Sequence, residues 1–327
     1  MTEPLFRRTW DAGTLCSEHP AEFYLPNKSA VLAAICPDGF QSAGVITAAR
    51  WPTMSPGALK TRGRAEVRPV AGGFSYAPAS EISIDWWVNF AAGELFQFYS
   101  GRCFAQDEIQ AFEHPVLACV REALLDEGLS TRVTDSEGPT PFTIVGAARR
   151  FEFDTAPQPE CGTPDGLYGR KFASAPAEAV LRAATPIRPP TTSNVLVMEA
   201  PAYGSGPYLR HEIELALITA YTAFRAAVIE SSRINPSATC VIHTGFWGCG
   251  AYGGDHVMMT AIQLIAAACA GVPRLDFSLW DDAGLARFEE GRDLARQVER
   301  STPELETAAV VEGLAQSGRC WRQSDGN

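Results

Sequence analysis

The sequence predicts an α/β fold in which a sheet is covered by helices on both faces. Three observations in the C-terminal half carry that prediction. Short apolar, β-branched runs at Asn194–Met198, Thr239–His243 and Leu275–Leu279 read as buried strands. The stretches between them, His211–Ser231 and His256–Ala270, have helical apolar periodicity. The second of these carries Met258, Ile262, Leu264, Ile265 and Ala268, and is ended by Gly271 and Pro273. Strand, helix, strand, helix, strand implies right-handed crossovers within one sheet.

Upstream the pattern is weaker. Residues 1 to 80 hold short apolar stretches broken by Pro and Gly, with a first helix expected over Ala30–Ile35. A helix is expected to start near Ala105, and Phe142–Ala147 reads as a strand. Asp154–Pro190 is rich in Pro, Gly and Ala and reads as a long connection with a short helix near Ala175–Ala184. A connection of that length inside a domain is more often functional than idle.

The chain has 327 residues, 46% hydrophobic and 20% charged, which suits one large domain or two modest ones. Its formal charge of -11 argues against nucleic acid and anionic membranes as partners. Small molecules and proteins remain. The opening residues, MTEPLFRRTWDAG, lack the apolar core of a secretory signal, and no apolar run approaches the roughly 18 residues of a membrane span. The expected location is the cytoplasm. Nine cysteines contain no C-x-x-C pair and five histidines are scattered, so neither a disulfide framework nor a metal site is expected, and no cofactor is implied.

The run IHTGFWGCGAYGGD, Ile242–Asp255, joins the second strand to the second helix with five glycines. Residues without Cβ reach positive φ and let a ligand approach the main chain, and the following helix adds its positive dipole end. An anion such as a phosphate or diphosphate suits that place. The run fits neither G-x-x-x-x-G-K-[ST] nor G-x-G-x-x-G, which disfavours a Walker ATPase or an ordinary dinucleotide dehydrogenase.

Thr244–Asp255 and the helix after it resemble the catalytic domain of the poly(ADP-ribose) glycohydrolase family, a branch of the macrodomains. The family loop reads Thr-Gly-Asn-Trp-Gly-Cys-Gly-Ala-Phe-Gly-Gly-Asp, from which only Phe246 and Tyr252 depart. The resemblance implies that Thr244, Gly245, Phe246, Gly248, Cys249, Gly250, Ala251, Tyr252 and Gly253 contact an ADP-ribose ligand, with the loop around the diphosphate and Tyr252 against a ribose.

A second stretch, Val88–Glu108, aligns without gaps to the family segment that ends in Gln-Glu-Glu, here Gln106-Asp107-Glu108. By that resemblance Glu108 is the catalytic acid and Asp107 positions the distal ribose, with Gln106, Asn89 and Gly101 also at the ligand. The chemistry agrees: cleaving a ribosyl bond needs a proton for the leaving atom and a base for water, and one carboxyl of raised pKa serves for both in turn. Adjacent acids also suit the first turn of any helix, which is the structural alternative. Phe153, after the strand at Phe142, is a candidate to stack on adenine and equally a candidate core residue.

The resemblance extends over roughly Ile82–Asp282 and implies a macrodomain-like mixed sheet flanked by helices over residues 81–327. Residues 1–80 would form an N-terminal helical accessory region. One departure is large: the family's Gly-Gly-Gly is Phe96-Gln97-Phe98 here, and Asn89 and Ala92 replace an Asp and an Asn. Phe96 and Phe98 are expected to stand in the diphosphate path. That favours a mono-ADP-ribosyl group or a small ADP-ribose conjugate over long polymer. Another nucleotide-linked or ribosylated metabolite, or binding of ADP-ribose without turnover, are the alternatives; an ADP-ribosylated protein is the expected macromolecular partner.

Overall fold

The computed structural model describes residues 2–37, 39, 43–54, 65–302 and 306–326. In chain order the N-terminal part forms β1 (Phe6–Asp11), α1 (Ala12–Glu18), α2 (Pro26–Ile35), β2 (Val45–Arg50), β3 (Glu66–Val70) and β4 (Ser83–Ala91). Next come α3 (Gln106–Glu113), α4 (Val116–Asp126), a small hairpin of β5 (Thr134–Asp135) and β6 (Gly138–Pro139), and β7 (Phe142–Phe153). Two short helices, α5 (Lys171–Ser174) and α6 (Ala177–Arg182), precede β8 (Ala184–Glu199). The rest is α7 (Arg210–Ile234), β9 (Thr239–Thr244), α8 (His256–Ala270), β10 (Arg274–Ser278), α9 (Asp282–Ser301) and α10 (Thr307–Ala315).

Among the described residues eight strands form one sheet in the order β1-β2-β7-β8-β4-β9-β10-β3. From β8 to β3 the neighbours run parallel, whereas β1, β2, β7 and β8 pair antiparallel. The predicted mixed sheet flanked by helices is what forms. The crossover from β8 through α7 to β9 steps over β4, which lies between them and was not foreseen as a strand. Its run Trp86-Trp87-Val88 is buried on both faces, as a central parallel strand must be.

The first 80 residues differ from a helical accessory region. They supply α1 and α2, but also β1 and β2 at one edge of the sheet and β3 at the other. The first helix is α1, capped by Asp11 Oδ1 accepting the Thr14 N–H at 2.9 Å, ahead of the expected one, which runs over Pro26–Ile35.

Alternation along β8 divides the core in two. Leu196 and Met198 pack with α7, α8, α9 and α10, while Val195 and Val197 pack with α1, α2, α3 and α4 on the other face. Helix α8 is buried all round. Asp255 Oδ1 caps it by accepting the Met258 N–H at 3.0 Å, and Gly271 ends it at φ +76°. No helix is long and apolar enough to cross a membrane among the described residues.

Helix α3 is pinned at both ends. Gln106 Oε1 accepts the Phe90 N–H at 2.8 Å and Nε2 donates to Val88 O at 3.1 Å, so its amide continues the ladder of β4. At the other end Glu113 is buried, pairs with Arg149 at 2.9 Å and accepts the Phe153 N–H at 2.7 Å. These contacts fix where Asp107 and Glu108 stand.

Candidate active site

The glycine loop leaves β9 at Thr244. Thr244 is fully buried and donates to Gln263 Oε1 at 2.6 Å, and Gln263 Nε2 holds Gly245 O at 3.0 Å, so the loop's entry is clamped to α8. Two glycines are conformational necessities. Gly248 has φ +75° and a Cβ there would meet Ala200 Cβ at 2.5 Å; Gly253 has φ +73° and a Cβ would meet Arg322 O at 2.6 Å. The Gly254 N–H closes the loop on Gly248 O at 2.9 Å. Among the described residues the N–H groups of Gly250, Ala251 and Tyr252 find no protein acceptor, which leaves donors for an anion.

The acids stand at the first turn of α3. Glu108 is buried, and its Oε2 accepts the Ala105 N–H at 2.8 Å, so the helix-start alternative is also realised. Burial, reinforced by the Glu108 carboxylate, pushes the Asp107 carboxyl well above the usual carboxylate range. Asn89, fully buried on β4, donates Nδ2 to Asp107 O at 3.4 Å, and its Oδ1 has no donor among the described residues. An acceptor left so costs about 1–3 kcal/mol, which a ligand or water hydroxyl would offset.

Several neighbours escaped the sequence reading. The Tyr168 hydroxyl stands near the acids and is pushed up by burial and by Asp107, Asp325 and Glu108. Tyr252, from the glycine loop, is raised by burial and then by Glu199, Asp107 and Glu108, which sets loop and acids in one site. The Tyr203 ring lies 5.3 Å from that of Tyr252. Lys28 of α2 is fully buried, donates Nζ to Tyr99 O at 2.7 Å and to Cys103 O at 3.4 Å, and is lowered to about 8 by burial, with Glu108 and Asp107 opposing the shift. Glu199 had a signal available, since it ends β8 at the carboxyl edge where α/β sheets bind ligands. Lys28 and Asp325 had none, because each arrives from a distant part of the chain.

The sequence model of the family described as Poly (ADP-ribose) glycohydrolase (PARG), Macro domain fold, matches residues 169–287, a span that includes the whole glycine loop. This part of the chain is similar to the PARG macro domain. No curated protein matches the chain. A poly(ADP-ribose) glycohydrolase structure from Thermomonospora curvata is similar at 13% identity and a TM-score of 0.44, over 87% of this chain and 85% of that one. One from Deinococcus radiodurans, in complex with ADP-ribose, is similar at 11% and 0.44 over 87% and 93%. An Oceanobacillus iheyensis macrodomain with MES bound stands at 10% and 0.40 over 76% and 96%. At these scores the three add nothing to what the family match and the site carry.

The PARG-type loop and the acids come together, but not every expected contact does. Phe153 is buried with Phe104 at 5.0 Å and Phe172 at 5.5 Å, so it belongs to the aromatic core and not to a stacked base. Phe246 and Trp247 are buried too, Phe246 against Phe277 at 5.2 Å and Trp247 with Nε1 on Met198 O at 3.2 Å. Burial pushes the Cys249 thiol well above its ordinary range, which makes it packing and no nucleophile. Gln106 spends its amide on β4. The largest correction is at Phe96. Its backbone keeps a left-handed φ of +48°, but its ring turns into the core with Leu95, Tyr99 and Phe104 and is 3% exposed. Only Phe98, 46% exposed, and Gln97 stand at the surface, and Gly101 turns the chain back by donating its N–H to Phe98 O at 2.9 Å. Among the described residues no three His, Cys, Asp or Glu side chains gather as a metal site.

Proposed function

We propose that the protein hydrolyses ADP-ribosyl bonds, acting on mono-ADP-ribosyl groups or small ADP-ribose conjugates in preference to long polymer. The observation that carries this reading is the glycine loop with N–H groups to spare together with the buried Glu108 and its neighbour Asp107 at the first turn of α3. A module that only binds ADP-ribose has no use for a buried acid there.

In the proposed reaction the ligand's diphosphate lies on the loop and its distal ribose at the acids. Glu108 stands at the anomeric carbon and gives its proton to the leaving atom as the glycosidic bond breaks, while Asp107 holds the ribose hydroxyls. The resulting Glu108 carboxylate takes a proton from the attacking water, and the oxygen bonds to the oxocarbenium-like carbon. Atoms balance and Glu108 is restored to its acid form. The low-dielectric site strengthens each of these interactions. The side chains of Gln97 and Phe98, where three glycines would leave open backbone, support a short ligand.

The test is calorimetry with ADP-ribose followed by release of free ADP-ribose from a mono-ADP-ribosylated protein and from polymer. Micromolar binding and release from the mono form are expected. Absence of binding at millimolar ADP-ribose would sink the reading, and faster release from polymer would sink its substrate half.

A further inference from the structure

Cys16 of α1 and Cys119 of α4 meet where the two helices pack. Cys119 is fully buried in the cluster that covers this face of the sheet, and Cys16 is partly exposed and packs against the same cluster. The Cys119 thiol donates a hydrogen bond to the Cys16 sulfur. Polar contacts beside the pair hold the helices together. His19 Nδ1, just after α1, lies 2.7 Å from Asp126 Oδ2 at the end of α4, and Arg8 Nε donates to Glu127 Oε2 at 2.6 Å. The two cysteines are far apart in the chain, so no C-x-x-C spacing announces them.

Their surroundings give the two thiols different roles. The hydrogen bond from Cys119 lowers the Cys16 thiol from its ordinary range, burial opposes this, and the Arg150 charge assists it. The thiolate is the form that attacks peroxides, and Cys16 is the one of the two that solvent reaches. The Cys119 thiol is pushed up by the same hydrogen bond, by burial and by charge on Cys16. That hold on its proton weakens once Cys16 is oxidised and its charge is gone.

We propose that Cys16 and Cys119 form a peroxide-responsive dithiol that closes to a disulfide and fastens α1 to α4. With hydrogen peroxide as the oxidant, the Cys16 sulfur attacks one oxygen, the O–O bond breaks, and the departing hydroxide leaves as water with the Cys16 proton. The Cys119 sulfur then attacks the sulfenic sulfur, the S–O bond breaks, and the second hydroxide leaves as water with the Cys119 proton. Two thiols lose two electrons between them, and one peroxide gains them. The crosslink restricts the unfolded chain between the two residues and so stabilises the fold. None of this depends on what the glycine loop binds.

The experiment treats the full reduced chain with limiting hydrogen peroxide, alkylates the remaining thiols and maps the peptides by mass spectrometry. A peptide pair joined through Cys16 and Cys119 is expected, and of the nine cysteines only these two should escape alkylation. The midpoint of thermal unfolding should rise by about 5 °C or more and fall back after reduction with dithiothreitol. In Cys119→Ala the sulfenic acid at Cys16 should persist and label with dimedone, whereas in Cys16→Ala peroxide should leave Cys119 a thiol. A disulfide between other partners, oxidation of the exposed Cys320 ahead of Cys16, passage of Cys16 to sulfinic acid without a crosslink, or an unchanged midpoint overturns the proposal. The wild-type map decides the outcome whether or not either variant folds.

Discussion

The glycine loop at 248–254 and the turn at 95–101 separate two reasons for a glycine. In the loop both reasons hold at once, since Gly248 and Gly253 have positive φ and no room for a Cβ. In the turn only the first holds. Phe96 keeps the left-handed backbone, but space on the core side admits its ring. A chain can therefore lose a glycine motif while keeping its backbone path, provided that the new side chain has somewhere else to go.

The comparison can be broken from either side. The largest effect is expected at the acid: Glu108→Gln should lower turnover by about 10²–10⁴-fold while sparing ADP-ribose binding, read as kcat against Kd. Full activity in that variant would put the acid elsewhere. In the loop, Gly248→Ala combines left-handed strain with a clash on Ala200 and should cost about 2–4 kcal/mol in urea denaturation. In the turn, Phe96→Ala should cost about 3–5 kcal/mol for the lost ring, and Phe96→Gly about 1 kcal/mol less because glycine relieves the φ. If the glycine variant is the less stable of the two, Phe96 is not strained.

The smallest effect is a pH slope. Lys28 titrates near 8 when folded and near its ordinary 10.5 when unfolded. Between those values the unfolded chain binds more protons, so this group makes stability rise with pH there. Lys28→Met should remove that rise, measured as Tm across pH 8 to 10.5.

What was legible in the sequence follows from what is local. Helix α8 was readable to the residue because its cap, its apolar stripe and its stop lie within one stretch. The loop and the acid pair were readable as motifs. Strand β4 was not, because a central strand shows an unbroken apolar run with no period, and β1, β2 and β3 were too short between Pro and Gly to stand out. Phe96 was misjudged because sequence gives a side chain's size and not its direction. Tyr168, Lys28 and Asp325 reach the site only through the tertiary fold.

Gln106 bonds to β4 as another strand would, although it opens a helix. The two carboxyls that follow it are thus geared to the stiffest part of the molecule. They should keep their positions on the timescale of loop motions, so timing in this site falls to parts that are not so geared, such as the turn at Phe98.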